Sequence, residues 1–162
     1  MNRAIIIMGV SGSGKTTVGK KLSKSLRIPY YDADDFHSEE NIEKMANGNA
    51  LTDTDRWPWL EKLNNVMKEA LKEHALILAC SALKEAYRQR LTVGISVNWV
   101  YLSASYETIY KRMSQRNHFM KPQMLQSQFE TMEPPSYGIQ LDASKPVDEL
   151  IEELTEYLKS HE

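Results

Sequence analysis

The plainest chemistry in this chain lies in Gly9-Val10-Ser11-Gly12-Ser13-Gly14-Lys15-Thr16, which fits the pattern G-x-x-x-x-G-K-[ST]. Glycines at these positions let successive backbone N–H groups turn inward, and a helix that follows offers its positive end to phosphate. Lys15 has the reach for β- and γ-phosphates, and the Thr16 hydroxyl is a ligand for Mg²⁺. A chance match in a chain of this length comes to about half a percent at average residue usage. The alternative is a structural glycine turn with an incidental lysine. Against it, the stretch sits between an apolar strand pattern and a helical one, as a phosphate loop requires. The expected ligand is a nucleoside triphosphate. Its candidate contacts are Gly9, Ser11, Gly12, Ser13, Gly14, Lys15, Thr16 and the adjoining Thr17.

Other polar residues can complete a phosphoryl-transfer site. Asp32 and Asp34 follow a short strand pattern, and alternate residues of an extended segment point the same way. One carboxylate can serve Mg²⁺ through water while the other accepts a proton from an attacking hydroxyl. An Asp-Ala-Asp-Asp run also makes an ordinary polar turn. Arg56, within Thr52-Asp53-Thr54-Asp55-Arg56-Trp57-Pro58-Trp59, can clamp a carboxylate or phosphate bidentately. The plainer alternative there is a helix cap at Asp55 with aromatic packing. Lys84 and Arg88, four apart, would share a helix face beside the site or form a solvated basic face. Lys111, Arg112, Arg116, His118 and Lys121 suit either a lid that closes over phosphates or an exposed helix end. Cys80 continues an apolar strand and reads as a buried small residue. The four histidines show no metal-ligand spacing.

Placing these residues is the work of alternating strands and helices. Ala4–Met8 and Ala75–Cys80 are unbroken apolar runs, as in strands buried on both faces. Further strands are expected at Pro29–Asp32, Val97–Leu102 and, weakly, Gly138–Asp142. Helices are expected from Lys15 to about Leu26, at Glu39–Met45, Leu83–Leu91, Ser105–Ser114 and Met124–Met132, and after Pro146. Ala50–Trp57 reads as loop, with Pro58 in the first turn of the next helix. Leu60, Leu63, Met67, Ala70 and Leu71 make that helix's apolar stripe. The predicted class is α/β: one domain over residues 1–162, with a parallel sheet covered on both sides.

Composition narrows the function. At 162 residues the chain is one domain's worth, and 20 basic against 22 acidic residues leave a net charge of −2, which argues against a general grip on nucleic acid. No apolar run approaches the roughly 20 residues of a membrane helix, Ala4–Val10 being far too short, and the charge at Arg3 with no small-residue cleavage site argues against a signal peptide. A single cysteine forms no internal disulfide. The expected setting is cytoplasmic, with no membrane partner.

The blocks GVSGSGKTTV (9–18), YDADDFH (31–37), NIEKMANGNALTDTDRWPWL (41–60), ACSALKEAYR (79–88) and RNHFMKPQMLQSQFETMEPP (116–135) together resemble the small P-loop gluconokinases, in the family's order. The phosphate loop is shared by many NTPases; LTDTDRWPWL and ACSALKEAYR carry the assignment. The resemblance implies ATP- and Mg²⁺-dependent phosphorylation of D-gluconate at its 6-hydroxyl, and a shikimate kinase-like sheet in order 2-3-1-4-5. It implies a mobile lid, approximately 112–135, and a homodimer. By motif, Lys15 and Thr16 serve ATP and Mg²⁺, Asp32 lies near the metal, and Asp34 is the base-like carboxylate. Arg56, Lys84 and Arg88 hold the sugar acid, with His37 and Gln128 inside matching blocks. Arg112 and Arg116 belong to the lid and the adenine side, with Arg116 among the catalytic candidates. Other small-molecule kinases, for shikimate or another sugar acid, would use the same loop and lid. A non-catalytic ATP-binding module remains a further alternative. A GTP switch is disfavoured because no Asn-Lys-x-Asp motif occurs.

Overall fold

Five short strands pair side by side and all run in one direction. The computed structural model describes residues 2–115 and 122–162. Its strands are β1 (Ala4–Met8), β2 (Tyr30–Asp32), β3 (Leu76–Ala79), β4 (Val97–Ser103) and β5 (Ile139–Asp142), in the sheet order β2-β3-β1-β4-β5. Every neighbouring pair is parallel. The helices are α1 (Lys15–Leu26), α2 (Glu39–Ala46), α3 (Asp53–Leu71), α4 (Glu85–Leu91), α5 (Tyr106–Ser114), α6 (Pro122–Thr131) and α7 (Val147–Ser160). The α/β class and the 2-3-1-4-5 order are as expected.

β1 is the middle strand, and its side chains serve two cores in alternation. Ala4, Ile6 and Met8 face a cluster with Leu60, Leu63 and Met67 of α3 and Tyr87 and Leu91 of α4. Ile5 and Ile7 face the other side, with Val18 and Leu22 of α1 and Leu150 and Leu154 of α7. Strands buried on both faces need no polar alternation, which is why AIIIM and LILA are uninterrupted. Each fully buried aliphatic side chain there contributes roughly 1.5–3 kcal/mol. Among the described residues no helix is long and apolar enough to cross a membrane.

Two local expectations need correction. The segment read as loop through Trp57 is already helical from Asp53, because Thr52 caps α3 in a capping box. Its hydroxyl accepts from the Asp55 N–H, and the Asp55 carboxylate accepts from the Thr52 N–H. Pro58 therefore lies inside the helix, in its second turn rather than its first. Lys84, placed with Arg88 on one helix face, is instead the extended N-cap of α4 (φ −108°, ψ 149°).

Candidate active site

A cavity of about 560 Å³ opens beyond the carboxyl ends of β1, β2 and β3. Parallel α/β sheets bind ligands at this edge, where the chain leaves adjacent strands for different helices. The glycine-rich loop leaving β1 forms its floor. At Gly9 a Cβ would lie 2.9 Å from the Leu102 carbonyl oxygen and 2.8 Å from Ser13 Oγ, so only glycine fits. Gly14 starts α1 with φ 103°, and the helix's first turn has neither a side-chain cap nor an acidic residue. Its free N–H groups and dipole suit an anion. Lys15 Nζ donates to the carbonyls of Gly9 (2.9 Å) and Val10 (3.0 Å), leaving one ammonium proton for a ligand. Desolvation pulls the Lys15 ammonium below its ordinary pKa, against the raising influence of Asp34, Cys80 and Asp32.

Asp32 and Asp34 share the cavity wall by a different geometry from the extended one expected. β2 ends at Asp32, which caps a 3-10 turn, Ala33–Phe36, by accepting the Asp34 N–H at 2.9 Å. That bond orients the Asp32 carboxylate and carries Asp34 around the turn. The Asp34 side chain is open to the cavity, yet desolvation by the protein around it and then Asp32 push its carboxyl above its ordinary value, while Lys15 opposes them. Beside it the His37 ring stacks on Trp59, with centroids 4.1 Å apart, and its Nε2 lies 3.7 Å from Asp34 Oδ1. The Trp59 indole is itself held by its N–H to the Ala33 carbonyl. Burial and the nearby Arg56 lower the His37 pKa to about 4, so the imidazole is neutral near pH 7.

Arg56 also lines the cavity. Its Nη1 donates to the Leu51 carbonyl (2.6 Å) and the Tyr87 hydroxyl (3.1 Å). The guanidinium carbon lies 5.0 Å from the centre of the Tyr87 ring. Among the described residues Nε and Nη2 have no such partner, and this is the edge that binds a carboxylate bidentately. Ser11, Gly12, Gly14, Thr16, Thr17 and Gln128 also line the cavity. Gln128 of α6 makes a two-way contact with the loop: the Ser11 N–H donates to its Oε1 (2.7 Å), and its Nε2 donates to Ser11 Oγ (2.9 Å).

Other expected site residues lie elsewhere. Gly9 and Ser13 shape the loop from behind the cavity wall, and Arg112 ties α5 to the carbonyls of Ser13 and Ala143. Lys84 is off the wall, its ammonium 3.4 Å from Asp53. Arg88, expected to hold substrate, is only 2% exposed and donates to the carbonyls of Ala82, Leu83 and Glu133, to Glu85 and to the Tyr137 hydroxyl. A guanidinium has five N–H groups, and here each has a protein acceptor. Arg88 is therefore a structural pin that ties α4 to the chain after α6. Arg116 lies outside the described residues.

The sequence reading missed the wall formed by Met45, Gly48 and Leu51, and the buried Asn41 beside His37. The spacing of four between His37 and Asn41 was the available signal. For a metal, Thr16 and Asp32 both line the cavity beside the loop. A hydroxyl, one carboxylate and substrate phosphates are a donor set that Mg²⁺ accepts, since it keeps several waters. The residues fit the ion.

Comparison with known proteins matches residues 11–137 to the family model described as Shikimate kinase. A probable gluconokinase from Xenopus tropicalis is 43% identical over 172 residues, covering 93% of this chain and 90% of the relative. Among solved structures, an unliganded sugar kinase from Janibacter sp. HTCC2649 superposes with TM-score 0.92 at 42% identity, covering 98% of this chain and 95% of the other. A gluconokinase from Sinorhizobium meliloti 1021 superposes with TM-score 0.88 at 36% identity, covering 98% and 92%.

Proposed function

This chain belongs to the shikimate kinase family and, within it, to the gluconokinases, and from that premise we propose that it transfers the γ-phosphoryl group of ATP to the 6-hydroxyl of D-gluconate, giving 6-phospho-D-gluconate. The observation that carries the reading is one cavity holding the phosphate loop with Lys15, the carboxylate of Asp34 and the open edge of Arg56. A sugar acid has a carboxylate at one end and a primary hydroxyl at the other, and this cavity has a cation and an anion to match.

In this reading Arg56 binds the gluconate carboxylate through Nε and Nη2, held by Leu51 and Tyr87. Gluconate's 6-hydroxyl then reaches Asp34, which accepts its hydrogen bond and takes its proton as the new P–O bond forms. His37, neutral, donates toward the polyol or toward Asp34. Lys15 and the first N–H groups of α1 stabilise negative charge on the phosphoryl oxygens as the bond to ADP breaks. Mg²⁺ held through Thr16 and Asp32 would neutralise phosphate charge. Gln128 joins α6 to the loop that must receive ATP, consistent with a lid over 112–135 that keeps water from the reacting phosphate. The same family reading carries a homodimer in the cytoplasm, for which light scattering is the direct check of mass.

The test is ADP release from ATP and Mg²⁺ with D-gluconate, set against shikimate, other aldonates, glucose and nucleoside monophosphates. Turnover with gluconate alone is expected. Turnover only with another acceptor would keep the kinase chemistry and discard the substrate.

A further inference from the structure

Asn41 is 7% exposed and lines no part of the cavity, yet it touches the ring that does. Its Nδ2 lies 3.0 Å from the Asp55 carbonyl oxygen and 3.4 Å from His37 Nδ1. The carbonyl settles which way this amide points, since a backbone oxygen only accepts and must face the NH₂ group. The second hydrogen of the same NH₂ is then directed at Nδ1. An imidazole nitrogen facing a donor keeps its lone pair, so the single proton of the neutral ring sits on Nε2. Nε2 is the atom 3.7 Å from Asp34 Oδ1.

We propose that Asn41 is a positioning residue that locks His37 as the Nε2–H tautomer, so that the ring presents a donor to Asp34 Oδ1 rather than a lone pair. The Asp55 carbonyl belongs to the capped first turn of α3, so the tautomer is set by the helix that also carries Arg56. A donor against Oδ1 orients the carboxylate and leaves its other oxygen for the acceptor hydroxyl. The opposite tautomer would set a nitrogen lone pair against a carboxylate and turn that oxygen away. The 3.7 Å gap is longer than a hydrogen bond, as catalytic hydrogen bonds often are before substrate binds and tightens them. The low pKa of His37 agrees, because a protonated ring would direct Nδ1–H at the Asn41 amide hydrogens.

The inference rests on the role proposed for Asp34 but is tested apart from activity. Nitrogen-15 NMR of the intact protein, with the His37 ring assigned by its loss in His37→Gln, reports which nitrogen is protonated. A protonated Nε2 and a bare Nδ1 are expected at neutral pH; a proton on Nδ1 overturns the proposal. In Asn41→Asp the acceptor oxygen should draw the proton to Nδ1, and kcat should fall about tenfold with KM for ATP unchanged. Asn41→Ala should show both tautomers and an intermediate kcat, and it serves if Asn41→Asp does not fold. Wild-type kcat in a folded variant whose ring carries its proton on Nδ1 would also overturn it. If gluconate proves the wrong acceptor, the ring spectrum is unaffected, so the two failures are distinguishable.

Discussion

Arg56 and Arg88 lie on helices packed against each other, and they use their hydrogen bonds in opposite ways. Arg56 is tethered at one nitrogen and keeps a bidentate edge for the cavity; Arg88 has an acceptor for every N–H. Arg56→Ala should raise KM for gluconate at least tenfold with ATP binding little changed, and an unaltered gluconate KM would refute the clamp. Arg88→Ala leaves the buried Ala82 carbonyl without its guanidinium donor, also removes the donors to the Leu83 and Glu133 carbonyls, and should cost about 3 kcal/mol, read as a shifted urea midpoint. A stable variant with only a raised gluconate KM would restore Arg88 to the substrate site. Asp34→Asn should lower kcat by two or more powers of ten with a small effect on ATP binding; near-normal turnover would remove it as the base. Nothing in ACSALKEAYR distinguishes a pin from a clamp. The distinction arises from Glu133 and Tyr137, which the chain brings back only after some 45 residues, and a local motif carries no trace of that return.

The strands were legible where burial is two-sided, because β1 and β3 need nothing but apolar side chains. The start of α3 was not, although Thr52-x-x-Asp55 is a capping-box pattern standing in plain view. Pro58 drew the boundary toward itself, since a proline is most at home in a helix's first turn; here the box outweighs the one backbone bond that Pro58 removes. Thr52→Ala should cost about 1 kcal/mol in urea unfolding. The loss would be felt at the site as well, because Arg56, the Asp55 carbonyl and Trp59 all ride on the first two turns. An unchanged midpoint would show that packing alone holds this helix end. Asp34's place on the cavity wall was legible, but its 3-10 turn was not, because a three-residue strand leaves no periodicity to extrapolate.

Protonation ties the site to the stability of the whole domain. His37 titrates at about 4 in the folded protein and near 6.5 as a free side chain. Between those values the unfolded chain takes up a proton that the folded one refuses, so stability falls as pH drops from 6.5 toward 4. Melting temperature measured across that window should decline less steeply in His37→Gln than in the wild type. Curves that run parallel would mean that His37 is free to charge in the fold.

The sheet order has a consequence for descent. The phosphate loop hangs from the innermost strand, while the proposed acceptor end of the cavity is lined from residues 32–59, which leave the edge strand and run through α2 into α3. The donor half and the acceptor half are thus separate stretches of chain that meet only in space. Rewriting the second leaves the first intact, so a lineage built on this sheet can exchange what it phosphorylates without relearning how to phosphorylate.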